Sequence, residues 1–413
     1  EYIVSHRETV TERLSELNGI YICLIYDTEK KNITIFNDKI CFESLCWYLT
    51  DDKKQFSISD KFFDLQKHTG LKEFDETSVL EFLSYRFVSG KYTLLKNIYQ
   101  IEPASVYTID FSNENILLKR KEWYKYKVTF KGHTNGDKEL YDIQTRIFEK
   151  YKKAFGDKHI QLNLTGGLDS RYILGYLLKD NFDFETNTFG TKQCEEIKYV
   201  KKLERDFGFK ANKVVLADNF IKNYYSTDTA RRITKAIGFK TYYYQGFFFD
   251  FLYNEKNPDI MMSGDNGFIL GLMYKDIVRS VKTHNELADF LVRTSLVMPY
   301  ADLRSYYYDF HLTENELRKK LKERVIEQLD ITNDIYSEYL KWGLFNRERN
   351  YCDKNYLVYS EYTFPIYPNY DNEFIEFMLN CSIDELKNEQ VYRNSMCNYH
   401  FIDELEQLRK IPV

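Results

Sequence analysis

The stretch best equipped for chemistry is Leu164-Thr165-Gly166-Gly167-Leu168-Asp169-Ser170-Arg171. Two consecutive glycines let a backbone approach a ligand closely and adopt left-handed dihedrals that side chains resist. A helix starting just beyond them presents unpaired N–H groups and the positive end of its dipole, a combination that favours phosphate. Thr165 and Ser170 add hydroxyl donors. Asp169 is unsuited to direct phosphate contact, because two anions repel, but suited to a Mg²⁺ ion held between them. The stretch lacks the G-x-x-x-x-G-K-[ST] of an ordinary P-loop. Taken alone, Gly-Gly and Asp-Ser also describe a tight turn with a helix cap.

The flanking elements favour the ligand over the turn. A buried-strand candidate, Ile160–Leu164, enters the loop, and a helix from about Ser170 leaves it. A Lys- and Glu-rich helix, Asp137–Ala154, precedes them. A strand at Glu185–Phe189, a helix at Glu195–Phe207, and strands at Lys213–Leu216 and Ile260–Met262 follow. Such alternation predicts an α/β domain with a parallel sheet, which binds ligands beyond the carboxyl ends of its strands. From about residue 280 the chain reads as mostly helical. Residues up to about 130 read as β-rich instead. Tyr21–Asp27 and Asn32–Phe36 flank a polar turn as in a hairpin, a helix is expected over Thr77–Phe87 capped near Asp75 or Thr77, and short strands over Leu94–Ile98 and Val106–Ile109.

Composition narrows the classes. The 413 residues suffice for two domains, and 43% hydrophobic with 29% charged residues fits a folded globular protein. The net charge is only -5, without a basic block, so no nucleic acid partner is expected. The most apolar stretch, Tyr242–Tyr253, is broken by Gln245, Gly246 and Asp250 and falls far short of the roughly 20 apolar residues that span a bilayer. No membrane association is expected. Seven scattered cysteines without C-x-x-C spacing read as reduced thiols of a cytoplasmic protein.

The glycine loop resembles the pyrophosphate loop of N-type ATP pyrophosphatases, within them most closely that of the asparagine-synthetase superfamily, which includes β-lactam synthetases and lasso-peptide macrolactam cyclases. Thr165 stands where that family's S-G-G-L-D-S has its first Ser. The resemblance extends along the chain. Leu17-Asn18-Gly19-Ile20-Tyr21 with Ile25-Tyr26-Asp27, and Thr93–Ile98 with Ile101-Glu102-Pro103, resemble segments of the family's glutaminase-like N-terminal domain. Ile260–Ile269 resembles its second ATP-site loop, L-S-G-E-G-S-D-E. The implied fold is a parallel-sheet ATP-pyrophosphatase domain over 131–413, with a helical C-terminal part. It is preceded over 1–130 by a β-rich, partial glutaminase-like (Ntn-type) domain.

The resemblance implies ATP and Mg²⁺ as cofactors and a carbon–nitrogen ligase reaction. A carboxylate attacks the α-phosphorus, giving an acyl-adenylate and pyrophosphate, and ammonia or a substrate amine then displaces AMP. It implies ATP contacts at Leu164, Thr165, Gly166, Gly167, Asp169 and Ser170, with Asp169 as metal ligand. Phe189 and Gly190 would meet adenine, and Ser263 and Gly264 belong to the second loop. Asp265 would act as general base on the amine, with Glu361 in support. Partners would be a small-molecule or peptide carboxylate and an amine or ammonia donor; the sequence leaves the oligomeric state open.

This chain departs from the pattern in four places. Phe268 replaces the family's Mg²⁺-binding Asp, and Phe cannot ligate a hard cation. Thr363 replaces an Arg, the catalytic Lys has no assigned position, and the given sequence begins at Glu1 with no nearby Cys, so glutamine hydrolysis is not expected of it. Two other readings stay open. One is a degenerate nucleotide-binding or scaffold homologue; the other is a specialised cyclase or amidotransferase of a natural-product or polysaccharide pathway, favoured by Arg171 after the loop. RNA thiolation is the weakest, for want of a basic surface.

Overall fold

The computed structural model describes residues 2–6, 9–216, 227–238, 258–264, 280–306, 311–352 and 355–399. The chain divides into two compact units, each assembled from separated stretches. The first gathers Glu1–Lys127, Thr234–Tyr243 and Asp276–Leu357, and the second gathers Val128–Ile233, Tyr244–Lys275 and Val358–Val413.

The first unit carries strands β1 (Ile22–Asp27), β2 (Asn32–Asn37), β3 (Cys46–Leu49), β4 (Phe56–Ser59), β5 (Ile98–Gln100), β6 (Ser105–Asp110) and β7 (Leu117–Glu122). They pair antiparallel in two sheets, of order β1-β2-β6-β7 and β4-β3-β5. The expected hairpin is present, with Asp27 opposite Asn32. Its turn needs no Asn-Gly, because the Asp27 carboxylate accepts from the Glu29 and Lys30 N–H groups at 3.0 and 2.9 Å. The strand expected at Leu94–Ile98 forms later, as β5. Thr93 Oγ1 bonds the Leu95 N–H and the Ile98 carbonyl, and Asn97 turns left-handed at φ 65°, so the chain is extended only from Ile98 on.

The expected helix runs over Glu76–Tyr85, with Asp75 accepting from the Ser78 N–H at 2.8 Å. Its buried Leu80 and Tyr85 join Leu287, Leu291, Leu317, Leu321 and Val325 in one apolar cluster. Two later helices, His284–Ser295 and Glu314–Ile326, supply those partners, each opened by a Thr–Glu capping box. Further on lies a wide, π-type helix, Gly343–Cys352. It buries Arg349, whose Nη2 donates to the Ile101 carbonyl at 2.8 Å and whose Nε donates to the Cys41 carbonyl at 2.5 Å. Asn346 accepts from the Gly90 N–H at 2.6 Å, and Asn350 donates to the Val88 carbonyl at 2.9 Å. A buried carboxylate, Asp38, accepts from the N–H groups of Tyr21, Ile40 and Cys41 at 2.8–2.9 Å.

The second unit is built on β8 (Ile160–Asn163), β9 (Phe184–Gly190), β10 (Lys210–Val215), β11 (Ile260–Ser263) and β12 (Phe364–Ile366). All neighbours pair parallel, in the order β10-β9-β8-β11-β12. This is the expected parallel α/β sheet. The helices Gly136–Phe155, Leu168–Lys179 and Glu195–Phe207 lie within a residue or two of their expected positions. Ile160 and Leu162 are fully buried, as a central parallel strand requires. β12 was not expected. Its Pro365 cannot donate a ladder hydrogen bond, which suits the edge position it takes. Strand order reverses between β8 and β11, and in open α/β sheets ligands bind at such a reversal, beyond the carboxyl ends. Among the described residues no disulfide forms, and no helix is long and apolar enough to cross a membrane.

Candidate functional site

The glycine loop leaves the carboxyl end of β8 at that reversal. Leu164 is buried, its N–H bonded to the Asn187 carbonyl at 2.9 Å and its carbonyl to Thr188 Oγ1 at 2.7 Å. The hydroxyls of Thr165 and Ser170 lie 3.2 Å apart, and each also takes a loop N–H: Ser170 Oγ that of Thr165 at 3.1 Å, Thr165 Oγ1 that of Gly167 at 3.0 Å. The two hydroxyls therefore shape the loop; they were expected to serve a ligand. Asp169 stands in the first turn of Leu168–Lys179, where a carboxylate suits the helix dipole.

Gly166, partly buried between exposed Thr165 and Gly167, tests what the loop can hold. Its N–H donates to the carboxylate of Glu196, from the start of the helix Glu195–Phe207. A Cβ on Gly166 would come within 2.9 Å of the Tyr199 ring and 3.0 Å of that carboxylate. An anion thus already rests on the loop backbone, in the kind of contact a phosphate oxygen would make. The Gly166 N–H is the loop donor on which an anion sits, those of Thr165 and Gly167 being taken within the loop.

The second loop begins where β11 ends. Ser263 pairs with Asn163 across the sheet, and Gly264 lies so close to the helix start that a Cβ would meet Ser170 N at 2.6 Å. Only glycine fits there. Phe189 and Gly190 end β9 on the other side of β8. The Gly190 carbonyl accepts from the Leu216 N–H at 3.0 Å, so the main chain there is already partly engaged. The structure therefore gathers Leu164, Thr165, Gly166, Gly167, Asp169, Ser170, Phe189, Gly190, Ser263 and Gly264 at the carboxyl edge of one sheet. Asp265 and Phe268 lie outside the described residues.

Glu361 is placed differently. It sits exposed in the turn after the short helix Asn355–Tyr359, not in a helix. The following residues run beside Pro258 and Asp259, and Phe364 pairs with Ile260, the first residue of β11. In parallel strands that register puts Glu361 at the amino edge, opposite the glycine loop. Glu361 therefore does not reach the loop edge of the sheet, where support for the base was expected of it. Tyr359 reaches further than Glu361, its hydroxyl accepting from Asn163 Nδ2 at 2.6 Å.

The asparagines of this sheet, and Tyr392, escaped sequence reading. Asn212, Asn187, Asn163 and Ser263 share one register row across β10, β9, β8 and β11. Asn163 Oδ1 and Asn187 Nδ2 are buried with no hydrogen-bond partner among the described residues. A polar residue inside the apolar run Ile160–Leu164 was the available signal. Arg171 donates from Nε to the Gly167 carbonyl at 3.1 Å, and burial, then the charge of Arg393, hold its guanidinium below the ordinary pKa. Tyr392 is fully buried, and burial, then the Asp169 charge, push its hydroxyl well up.

One family model matches the N-terminal part of the chain. Residues 2–124 match the glutamine amidotransferase domain family. Asparagine synthetase [glutamine-hydrolyzing] 1 of Bacillus subtilis (strain 168) is 22% identical over 193 residues, which is 46% of this chain and 29% of that protein. The match thus spans less than a third of the curated relative's length. Among solved structures, the NH3-dependent NAD synthetase from Campylobacter jejuni is 12% identical and covers 52% of this chain and 96% of its own, with a TM-score of 0.25. The NMN synthetase from Francisella tularensis is 10% identical and covers 68% and 98%, with a TM-score of 0.23. Scores that low carry no argument, and the fold rests on the strand order itself.

Proposed function

We propose that this chain, which is a divergent asparagine-synthetase-like protein, is an ATP-dependent ligase that forms amide bonds by way of an acyl-adenylate. The observation that carries this reading is the Glu196 carboxylate on the Gly166 N–H, an anion seated in the glycine loop at the switch point of the sheet. In the proposed reaction the loop backbone from Thr165 to Ser170 binds the pyrophosphate portion of ATP, which takes the place of the Glu196 carboxylate. Asp169 would hold Mg²⁺, which when bound offsets phosphate charge and steadies the leaving pyrophosphate. Phe189 and Gly190 line the adenine side, and Ser263 and Gly264 the other wall.

A carboxylate substrate attacks the α-phosphorus, and the α–β bond breaks to release pyrophosphate. An amine, either ammonia or part of a larger substrate, then attacks the acyl carbon and AMP leaves with the bonding pair. Asp265 would accept the proton that the amine gives up. The synthetase domain proposed over 131–413 would have its sheet in the second unit, while its stretch Asp276–Leu357 belongs to the first. Phe268, in place of a metal-binding Asp, supports a second reading, in which the chain binds nucleotide without turnover.

Calorimetric titration with ATP in the presence of Mg²⁺ tests the nucleotide site. Binding is expected in the intact chain, weakened at least roughly tenfold in Asp169→Asn, since charge-assisted contacts contribute about 1.5–3 kcal/mol. No ATP binding by the intact chain would overturn the proposal. Binding without release of AMP across carboxylate and amine panels would favour the second reading.

A further inference from the structure

Three side chains of different chemistry converge elsewhere in the second unit. The ligand atoms of His133, Cys381 and Glu385 all lie within 4.8 Å of one another. They come from two pieces of chain, His133 from one and Cys381 and Glu385, four residues apart, from the other. His133 lies in the loop before the helix Gly136–Phe155, Cys381 caps the end of the helix Asn372–Asn380, and Glu385 belongs to the single turn Ile383–Leu386.

Each is held from behind, Cys381 by its thiol donating to the Phe377 carbonyl at 3.7 Å. The imidazole of His133 stacks on the Phe377 ring at 4.0 Å and 16° between planes. Its loop is pinned by the Gly132 N–H on the Asn380 carbonyl at 2.8 Å and by Thr129 Oγ1 on Asn380 Oδ1 at 2.9 Å. One oxygen of Glu385 is taken by the Ser382 N–H and hydroxyl at 2.7 and 2.8 Å, an ordinary capping box. The other oxygen lies 3.2 Å from both His133 Nδ1 and the His133 N–H. Gly136 leaves it this position, since a Cβ there would come within 2.5 Å of that oxygen and push it aside.

The capping box accounts for half of this carboxylate. It does not account for an imidazole and a fully buried thiol gathered about the other half. Nitrogen, sulfur and oxygen donors from three elements, each oriented by a second contact, are what a borderline divalent ion selects. A cation here would offset the Glu385 charge and stabilise the Cys381 thiolate.

We propose that His133, Cys381 and Glu385 bind a zinc-class divalent ion, with one coordination position left for water or another ligand. Binding releases one proton, as the Cys381 thiol becomes the thiolate that forms the sulfur–metal bond, while a neutral His133 nitrogen and the Glu385 carboxylate each donate a lone pair. The ion fastens the loop 129–133 to the segment 380–385. This inference does not depend on the nucleotide site.

The test is titration of the reduced, chelator-stripped full chain with Co²⁺, followed by Zn²⁺ competition. One equivalent of Co²⁺ is expected, with a thiolate-to-cobalt charge-transfer band and the visible bands of four-coordinate cobalt, both erased by Zn²⁺. Cys381→Ser should lose the charge-transfer band, and His133→Gln should bind roughly tenfold or more weakly while keeping the wild-type circular dichroism. Cys23→Ser, outside the cluster, should leave the spectrum unchanged. Absence of the band in the folded wild-type chain overturns the proposal, and so does its persistence in Cys381→Ser. If Cys381→Ser does not fold, His133→Gln decides, and unchanged Co²⁺ affinity there overturns it.

Discussion

Two carboxylates in different units do the same thing, accepting backbone N–H groups, and they differ in what surrounds them. Asp38 is 6% exposed and is saturated by three N–H donors in the first unit. Burial, acting against those bonds and the nearby Arg349, still pushes its carboxyl up. Glu196 takes one N–H of the glycine loop and remains half-exposed. Glu81 belongs with Asp38: it is fully buried and bonded to the N–H and hydroxyl of Ser89, with Arg324 Nη1 at 3.9 Å. A sealed carboxylate is part of the scaffold, because nothing can replace it. An open one on a loop backbone holds a position that another anion can take.

The comparison breaks most readily at Asp38. Asp38→Ala leaves three N–H groups without their acceptor and the Arg349 guanidinium without a nearby negative charge, and should cost the first unit roughly 3–5 kcal/mol in urea unfolding. A loss below about 1 kcal/mol would show that water replaces the carboxylate and that the site is not sealed.

Glu81 sharpens the same side through pH. Burial pushes its carboxyl from 4.5 up to about 7, the Arg324 charge and the Ser89 bonds opposing. The folded state therefore holds this proton more tightly than the unfolded chain does. Its contribution to stability is fully present below about pH 4.5, declines as pH rises, and is gone above about pH 7. The decline amounts to roughly 3 kcal/mol. Glu81→Gln should flatten that slope in unfolding curves taken between pH 5 and 8; an unchanged slope would remove Glu81 as its source.

Glu196 carries the smallest stability effect. Glu196→Gln should move the unfolding midpoint by less than about 0.5 kcal/mol, as an exposed substitution does. Affinity for ATP or inorganic pyrophosphate should instead rise a few-fold, because no internal anion has to leave. A large loss of stability with no gain in affinity would place Glu196 alongside Asp38, as scaffold.

The sheet that bears the candidate site was largely legible because its helices and strands keep distinct periods and the glycine loop punctuates them. Gly264 was legible as a loop residue, but its approach to Ser170 is a tertiary fact. Glu361 was misplaced because a local motif says nothing about which edge of a sheet a segment reaches; the parallel register of Phe364 with Ile260 decides that. The polar row from Asn212 to Ser263 was hidden for the same reason, since each residue is unremarkable in its own strand. The His133, Cys381 and Glu385 cluster spans 252 positions between His133 and Glu385 and has no sequence spacing to recognise.

The wide helix Gly343–Cys352 bears on when the first unit can finish folding. Its Arg349 holds the Ile101 carbonyl across 248 positions, and Asn350 holds that of Val88 across 262. During synthesis at roughly 5–20 residues per second, Ile101 emerges on the order of 10–50 s before Arg349 exists. Residues 2–124, although they match a family domain, thus pass that interval without these partners for their inner loops. Vectorial synthesis orders the assembly: the antiparallel strands can pair early, and the buried loop carbonyls of Val88 and Ile101 are closed last.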